Sequence, residues 1–351
     1  MNAALADQVD QPAVPAKKTA RSGRLSLFSF LAKRKPKGKG RTAVAISAEG
    51  VSLCNVVRVN NEPVLNACEF RPCMTTERQA ALAELLKERH LTNIPVTTVL
   101  EPGSYSLHLV DAPNVQPAEM KDAIRWRIKE LIDFDIEEAV YDIFDVPGRN
   151  LRGQGGRMMY AVVTRASVIQ TKVEQLRSAG LKPKIIDVPE LCLRNIAALV
   201  DDGGGVAILH LSPQSGAIVL TCNSTLFVAR SINIGLNRLR NALTKRAEQS
   251  DEEFTADAAT TEYNHFVENI ILEIQRSLDY YERHSSNPPI TNLYISPVDQ
   301  ELPGFVPYLK ENLGINVNAL NLNTIMQCTK ELSDNLQLRL FYVIGAALRD
   351  E

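Results

Sequence analysis

The stretch VAILHLSPQSGAIVLTCNSTLFVARSINIGLNRLRNAL, Val206 to Leu243, decides the fold. Val206–Leu211 is an apolar run, Ser212-Pro213-Gln214-Ser215-Gly216 is turn chemistry, and Ala217–Cys222 is a second apolar run. Asn223-Ser224 turns the chain into a third run, Thr225–Ile234. Short runs rich in Val and Ile, bounded by Asn, Ser, Pro and Gly, predict strands joined by tight turns. After Gly235, the residues Leu236, Leu239 and Leu243 recur at three and four positions, which is the period of a helix.

The same β-β-β-α order occurs near the N-terminus. Ala43–Ser47, Val51–Val59 and Val64–Phe70 predict strands, with turns at Ala48-Glu49-Gly50 and Asn60-Asn61-Glu62-Pro63. A helix over Thr75–Glu88 follows, with Leu82, Leu85 and Leu86 on one face. Two distant copies of one supersecondary unit point to duplication rather than a solenoid repeat. The pattern resembles the α/β, two-lobed actin-like fold (the actin/Hsp70/sugar-kinase fold); two unrelated antiparallel sheets are the alternative. The expected organisation is an arm over 1–41, a first lobe over 42–202 and a second over 203–351, hinged at Gly203-Gly204-Gly205.

A chain of 351 residues exceeds what one core holds. Its 45% hydrophobic and 23% charged content is that of an ordinary globular protein. The six cysteines form no CxxC pair, so buried thiols in a reducing compartment are expected. The five histidines have no metal spacing. No apolar stretch is long enough to cross a membrane, and Leu25–Ala32 is too short for a secretory signal.

The net charge of −2 conceals an asymmetry. Residues 1–41 hold ten Lys and Arg against Asp7 and Asp10, and the remainder is acidic. Within that arm Leu27, Phe28, Phe30 and Leu31 precede Lys33, Arg34 and Lys35. Apolar anchors beside a basic cluster suit an anionic membrane surface; a solvated basic linker is the bland alternative. An acidic body argues against nucleic acid.

Between the lobes' shared elements lies extra sequence, expected as a small α+β insertion over about 112–165. PAEMKDAIRWRIKEL, Pro117–Leu131, has an apolar helical stripe of Met120, Ala123, Ile124, Ile128 and Leu131. Strands over Ala139–Val146 and Met158–Val163 follow, joined by a Gly-rich hairpin loop. Asp133, Asp135, Glu137 and Glu138 alternate with apolar residues, as in a solvated strand entry rather than an acid/base pair. Further on, Ser167–Ala179 predicts a helix ended by Gly180, and Asn264–His284 a long amphipathic helix after a polar segment, Lys245–Thr261.

Four blocks carry a family resemblance: AEMKDAIRWRIKELIDFDIEEAVYDIFDV, SAGLKPKIIDVPELCLRN (Ser178–Asn195), FVENIILEIQRSLDYYERH (Phe266–His284) and ELPGFVPYLKENLGINVNALN (Glu301–Asn321). Together they resemble the PilM family of type IV pilus assembly proteins, in order over roughly residues 43–348. The divergent loops are similar to its MshI branch, from mannose-sensitive haemagglutinin (MSHA) pilus biogenesis.

That resemblance implies a cytoplasmic protein peripheral to the inner membrane. It would dock on the N-terminal cytoplasmic tail of a PilN-like bitopic membrane protein; the pilus assembly ATPase and a homodimer are further partners it leaves open. It also implies an ATP and Mg²⁺ site between two phosphate hairpins and an adenosine loop. The first hairpin reads like D-I-G in the family, where this chain has Ala45-Ile46-Ser47 before Gly50. The second reads like D-I-G-x-x-x-T, against His210-Leu211-Ser212-Pro213-Gln214-Ser215. Ser296-Pro297-Val298-Asp299 stands where the adenosine loop has a Gly pair. Proline lacks an N–H donor, and the metal-binding aspartates are missing.

The expectation is therefore a degenerate site (Ser47, Gly50, Ser212, Ser215, Ser296), no cofactor and no enzyme activity. Retained ATP binding as a conformational switch, or a type II secretion platform component, are the rivals. By the same resemblance the partner surface falls on Arg125, Trp126, Arg127, Ile132, Phe134 and Ile136. Trp126 lies off the apolar stripe, so it is either an interface anchor or a filler of the joint between insertion and lobe.

Overall fold

The structure, a computed structural model, describes residues 40–92, 94–116, 118–146, 157–248, 253–298 and 302–350. Both β-β-β-α units are present. The first is β1 (Arg41–Ser47), β2 (Gly50–Val59), β3 (Glu62–Pro72) and α1 (Arg78–Glu88). Its sheet adds β4 (Pro95–Val99), β8 (Lys182–Asp187) and the two-residue β14 (Gln327–Cys328), in the order β14-β3-β2-β1-β4-β8.

The second unit is β9 (Val206–Leu211), β10 (Gly216–Cys222), β11 (Thr225–Ile232) and α5 (Leu236–Glu248). With β12 (Asn292–Ile295) and β13 (Asn316–Ala319) it makes the sheet β11-β10-β9-β12-β13. Apart from β14, each sheet therefore runs third, second, first, fourth, fifth strand. In both, the meander is antiparallel and the last two strands are parallel to the first. The duplication extends to turn chemistry. Asn60-Asn61 and Asn223-Ser224 close the same hairpin in the two units, all four with positive φ, the backbone that matches strand twist in a two-residue hairpin.

Two helices fill the space between the sheets. One is α4 (Pro189–Ala197), packed on β9, β10 and β11; the other is α9 (Asp334–Ala347), packed on β1 to β4. They touch backbone to backbone at Gly345, where a Cβ would lie 2.3 Å from the Cys192 carbonyl oxygen. Asn195 Nδ2 donates to the Gly345 carbonyl at 2.8 Å. A glycine inside a helix costs about 1 kcal/mol against alanine; here the close approach requires it. The largest core cluster gathers around this pair, and a second, with Leu53, Leu82, Leu85 and Leu176, lies on the other face of the first sheet.

The insertion is a three-stranded sheet, β5 (Ser106–Asp111), β7 (Met158–Arg165) and β6 (Ala139–Val146) in the order β5-β7-β6, with α2 (Met120–Leu131) on one face. Ile124, Ile128, Ala161 and Val163 form its core. The sheet takes in β5, which ends before residue 112. It reaches the second sheet through Tyr160, whose hydroxyl accepts from the Ala229 amide of β11 at 2.9 Å.

After β7 comes α3 (Ala166–Ser178), and Gly180 follows it with φ 77°. The long helix α6 spans Glu253–His284, so it begins well before Asn264. Its first turns are rich in Ala, Glu and Thr without an apolar stripe, and Ala and Glu are strong helix formers. The remaining elements are α7 (Phe305–Leu313), the single-turn α8 (Leu322–Ile325) and a 3-10 turn at Ile136–Glu138.

Candidate functional site

The two hairpins expected as phosphate loops are closed on themselves. Ser47 Oγ donates to the Gly50 carbonyl at 3.2 Å and accepts from the Glu49 amide at 3.3 Å. In the second hairpin, the Ser212 amide and hydroxyl both donate to the Ser215 carbonyl at 2.8 Å, and the Ser215 amide returns to Ser212 Oγ at 3.3 Å. The amides of Leu236 and Asn237, at the positive start of α5, donate to the carbonyls of Ser212 and Pro213 at 2.9 and 3.0 Å. A Cβ on Gly235 would lie 2.4 Å from Gln214, so loop and helix start are in contact. A helix N-terminus can cradle phosphate only while its amides are free.

Behind this hairpin sits His210, 2% exposed. Its Nδ1 is 2.8 Å from Ser296 Oγ, which joins the second hairpin's strand to the adenosine-loop position. Its ring stacks on Phe341 of α9 (centroids 5.1 Å apart, planes at 7°) and meets Tyr342 edge-on at 4.5 Å. Burial pulls the His210 pKa down to about 3, so the imidazole is neutral near pH 7. On α4, Glu190 Oε2 accepts from the Tyr105 hydroxyl at 2.5 Å, and burial raises the Glu190 carboxyl above the usual carboxylate range.

Mg²⁺ carried on a nucleotide needs oxygen ligands and room for waters. The place expected for the hairpin aspartate holds a neutral, stacked imidazole instead, and among the described residues no three His, Cys, Asp or Glu side chains gather as a metal site. The residues present do not fit Mg-ATP. A shallow hollow of about 450 Å³ between α5 and α6, edged by Arg238, Asn241 and Lys245, opens to solvent beyond the hairpin's helix.

The expected partner surface divides into two parts. Trp126 stands on the outer face of α2, 72% exposed, with Lys129 Nζ over its ring at 5.8 Å. An indole this exposed fills no joint between insertion and lobe. Arg125 pairs with Glu137, and Arg127 lies 3.4 Å from Asp111. Ile132, Phe134 and Ile136, in contrast, are half-buried against the insertion's own core. Arg165, just ahead of α3, covers the Phe134 ring at 4.1 Å and pairs with Glu138 at 3.2 Å. The turn is thereby tied to the start of α3.

Along α3 runs a cleft that the sequence did not announce. It holds about 280 Å³ and is lined by Glu101, Ser104, Ser167, Thr171, Lys172 and Gln175. Lys172 is 7% exposed, its Nζ 3.4 Å from Glu101 Oε1. Thr164 Oγ1 donates to the Ser104 carbonyl at 2.6 Å, fixing β7 of the insertion to the cleft's rim. No local signal marks this cleft, because its walls come from separate segments. Leu27, Phe28, Phe30, Leu31, Lys33, Arg34 and Lys35, expected to face a membrane, lie outside the described residues. No helix among those described is long and apolar enough to cross a membrane.

Two sheets of the same strand order around a pair of central helices define an actin-like fold. Within that class the chain belongs to the type IV pilus assembly protein PilM family, whose family model matches residues 108–350. Among solved structures it is similar to the PilM-PilN type IV pilus biogenesis complex: identity is 22%, coverage 89% of this chain and 98% of that one, and the TM-score 0.65. A protein from Bacteroides thetaiotaomicron with an actin-like ATPase fold and unknown function is 9% identical over 82% of this chain and 93% of its own, with TM-score 0.45. The ethanolamine utilization protein EutJ from Carboxydothermus hydrogenoformans is 12% identical over 88% and 89%, with TM-score 0.43. Comparison with curated proteins finds no match.

Proposed function

We propose that this protein is a non-enzymatic, nucleotide-independent scaffold of a type IV pilus assembly machine, of the MSHA kind. It docks the N-terminal cytoplasmic tail of a PilN-like bitopic protein at the inner face of the inner membrane. The observation that carries the reading is Trp126. A single large aromatic stands in solvent on a helix whose opposite face is sealed into a core. Exposed aromatics on rigid elements are the residue type that dominates binding energy at interfaces. The cleft along α3, lined by Ser104, Ser167, Thr171 and Gln175, is a second surface where an extended segment could bond through its backbone.

Co-purification from membranes tests the assignment: a pilus inner-membrane protein should be recovered. Recovery of secretion-platform components instead would replace the pilus reading with the type II secretion one. The basic arm is assigned to the anionic membrane surface. Deleting residues 1–41 should leave the melting temperature unchanged and weaken binding to anionic liposomes, most at low salt. Equal liposome binding by both forms would remove the arm from that role.

Nucleotide independence has its own measurement. Calorimetry with Mg-ATP should give no binding heat in the micromolar range, since the loop amides are already bonded within the protein. Micromolar affinity would restore the ATP-switch reading.

A further inference from the structure

Two thiols in the first sheet are placed for chemistry that the scaffold role does not use. Cys54 on β2 and Cys68 on β3 are direct cross-strand partners, so both side chains leave the same face of the sheet. Their sulfurs are 3.0 Å apart, and both are free cysteines. Directly opposed residues of an antiparallel pair have Cα atoms about 4.5–5.5 Å apart, inside the range of about 4.4–6.8 Å that a disulfide spans. Small side-chain rotations alone would close the bond, with the strand pairing intact. The two thiols differ in environment. Cys54 is fully buried on the side that α9 covers, and burial, then Cys68, push its pKa up. Cys68 is half-buried at the side of the sheet towards β14. The third nearby cysteine, Cys328 on β14, is paired in register with Leu65, and its thiol donates to the Met326 carbonyl at 3.8 Å.

We propose that Cys54 and Cys68 form an oxidation site for hydrogen peroxide that closes to a reversible cross-strand disulfide. Cys68, the more accessible thiol, reacts first: its thiolate sulfur attacks one peroxide oxygen, the O–O bond breaks, and the departing hydroxide takes up a proton as water. The Cys54 sulfur then displaces the hydroxyl of the Cys68 sulfenic acid. The S–O bond breaks, the Cys54 proton leaves with the hydroxyl as a second water, and the S–S bond forms. Two thiols are oxidised and one peroxide is reduced. Held in contact, Cys54 needs little thiolate at equilibrium, because proximity replaces a bimolecular encounter. A dithiol reductant reverses the reaction by exchange through a mixed disulfide.

The test uses the full chain, treated with hydrogen peroxide under native conditions, then alkylated after denaturation and mapped by mass spectrometry. The expected result is loss of two alkylatable thiols, a Cys54–Cys68 cross-linked peptide, and recovery of both thiols with dithiothreitol. Cys328→Ser should keep the cross-link and Cys68→Ser should abolish it. If Cys68→Ser does not fold, the wild-type peptide map decides alone. The proposal is overturned if all six thiols stay reduced. It is equally overturned if Cys68 runs on to sulfinic acid while Cys54 stays reduced, or if Cys68 links to Cys328.

Discussion

His210→Asp lowers the stability of the protein by about 4 kcal/mol, the range of a buried unpaired charge, and creates no Mg-ATP site. The substitution restores the aspartate that the family resemblance puts at the second hairpin, so it asks whether a metal site can form behind that hairpin. His210 is sealed against Phe341 and Tyr342, with one hydrogen bond to Ser296. A carboxylate there would lose its water, keep at most the Ser296 hydroxyl, and leave a gap against the Phe341 ring. Denaturant unfolding measures the loss. A variant as stable as wild type that also binds Mg-ATP would show that the site can open and that His210 is not a structural plug.

The same histidine sets a pH dependence. Its pKa is depressed to about 3 in the folded protein, against about 6.5 unfolded. Between those values the unfolded chain binds the extra proton, so stability rises with pH through that window and its contribution is complete above pH ~6.5. His210→Gln should flatten that part of the profile, while carboxylate titrations at lower pH remain.

Trp126→Ala is expected to weaken binding of the partner's N-terminal peptide by about 2 kcal/mol, roughly 30-fold. Its unfolding free energy should move by no more than about 0.5 kcal/mol, as for a surface position. The contrast follows from exposure: at 72% exposed, the indole contributes little to the folded monomer and has its apolar surface left to bury. Ser167→Trp, which fills the cleft along α3, is the companion variant. If the cleft variant blocks the peptide and Trp126→Ala binds at wild-type strength, the peptide occupies the cleft and Trp126 leaves the site. If both weaken binding, the peptide runs from the cleft onto α2. A large stability loss in Trp126→Ala would contradict its exposed position.

The sequence by itself determined the two β-β-β-α units and the helix α2, whose expected stripe is buried at Met120, Ile124 and Ile128 while Leu131 is exposed. All are local patterns: apolar runs of strand length, asparagine turns, and leucines at helical spacing carry their own signal within a few residues. It also determined that Ala45 and His210 stand where the family resemblance expects hairpin aspartates, since that is a matter of residue identity. Tertiary structure decided what depends on distant segments meeting. The two-residue β14 is too short to have a pattern and exists because the chain returns alongside β3. The strand β5 joins the insertion because it pairs with β7. The family resemblance puts Ile132, Phe134 and Ile136 on the partner surface, yet they lean on the core that α2 and β7 build. The cleft along α3 needs Glu101 and Lys172 brought together. His210 becomes a plug only because α9, from the far end of the chain, lays Phe341 and Tyr342 against its ring. Local periodicity specifies elements, whereas a site specified by contacts between elements leaves no trace in either one alone.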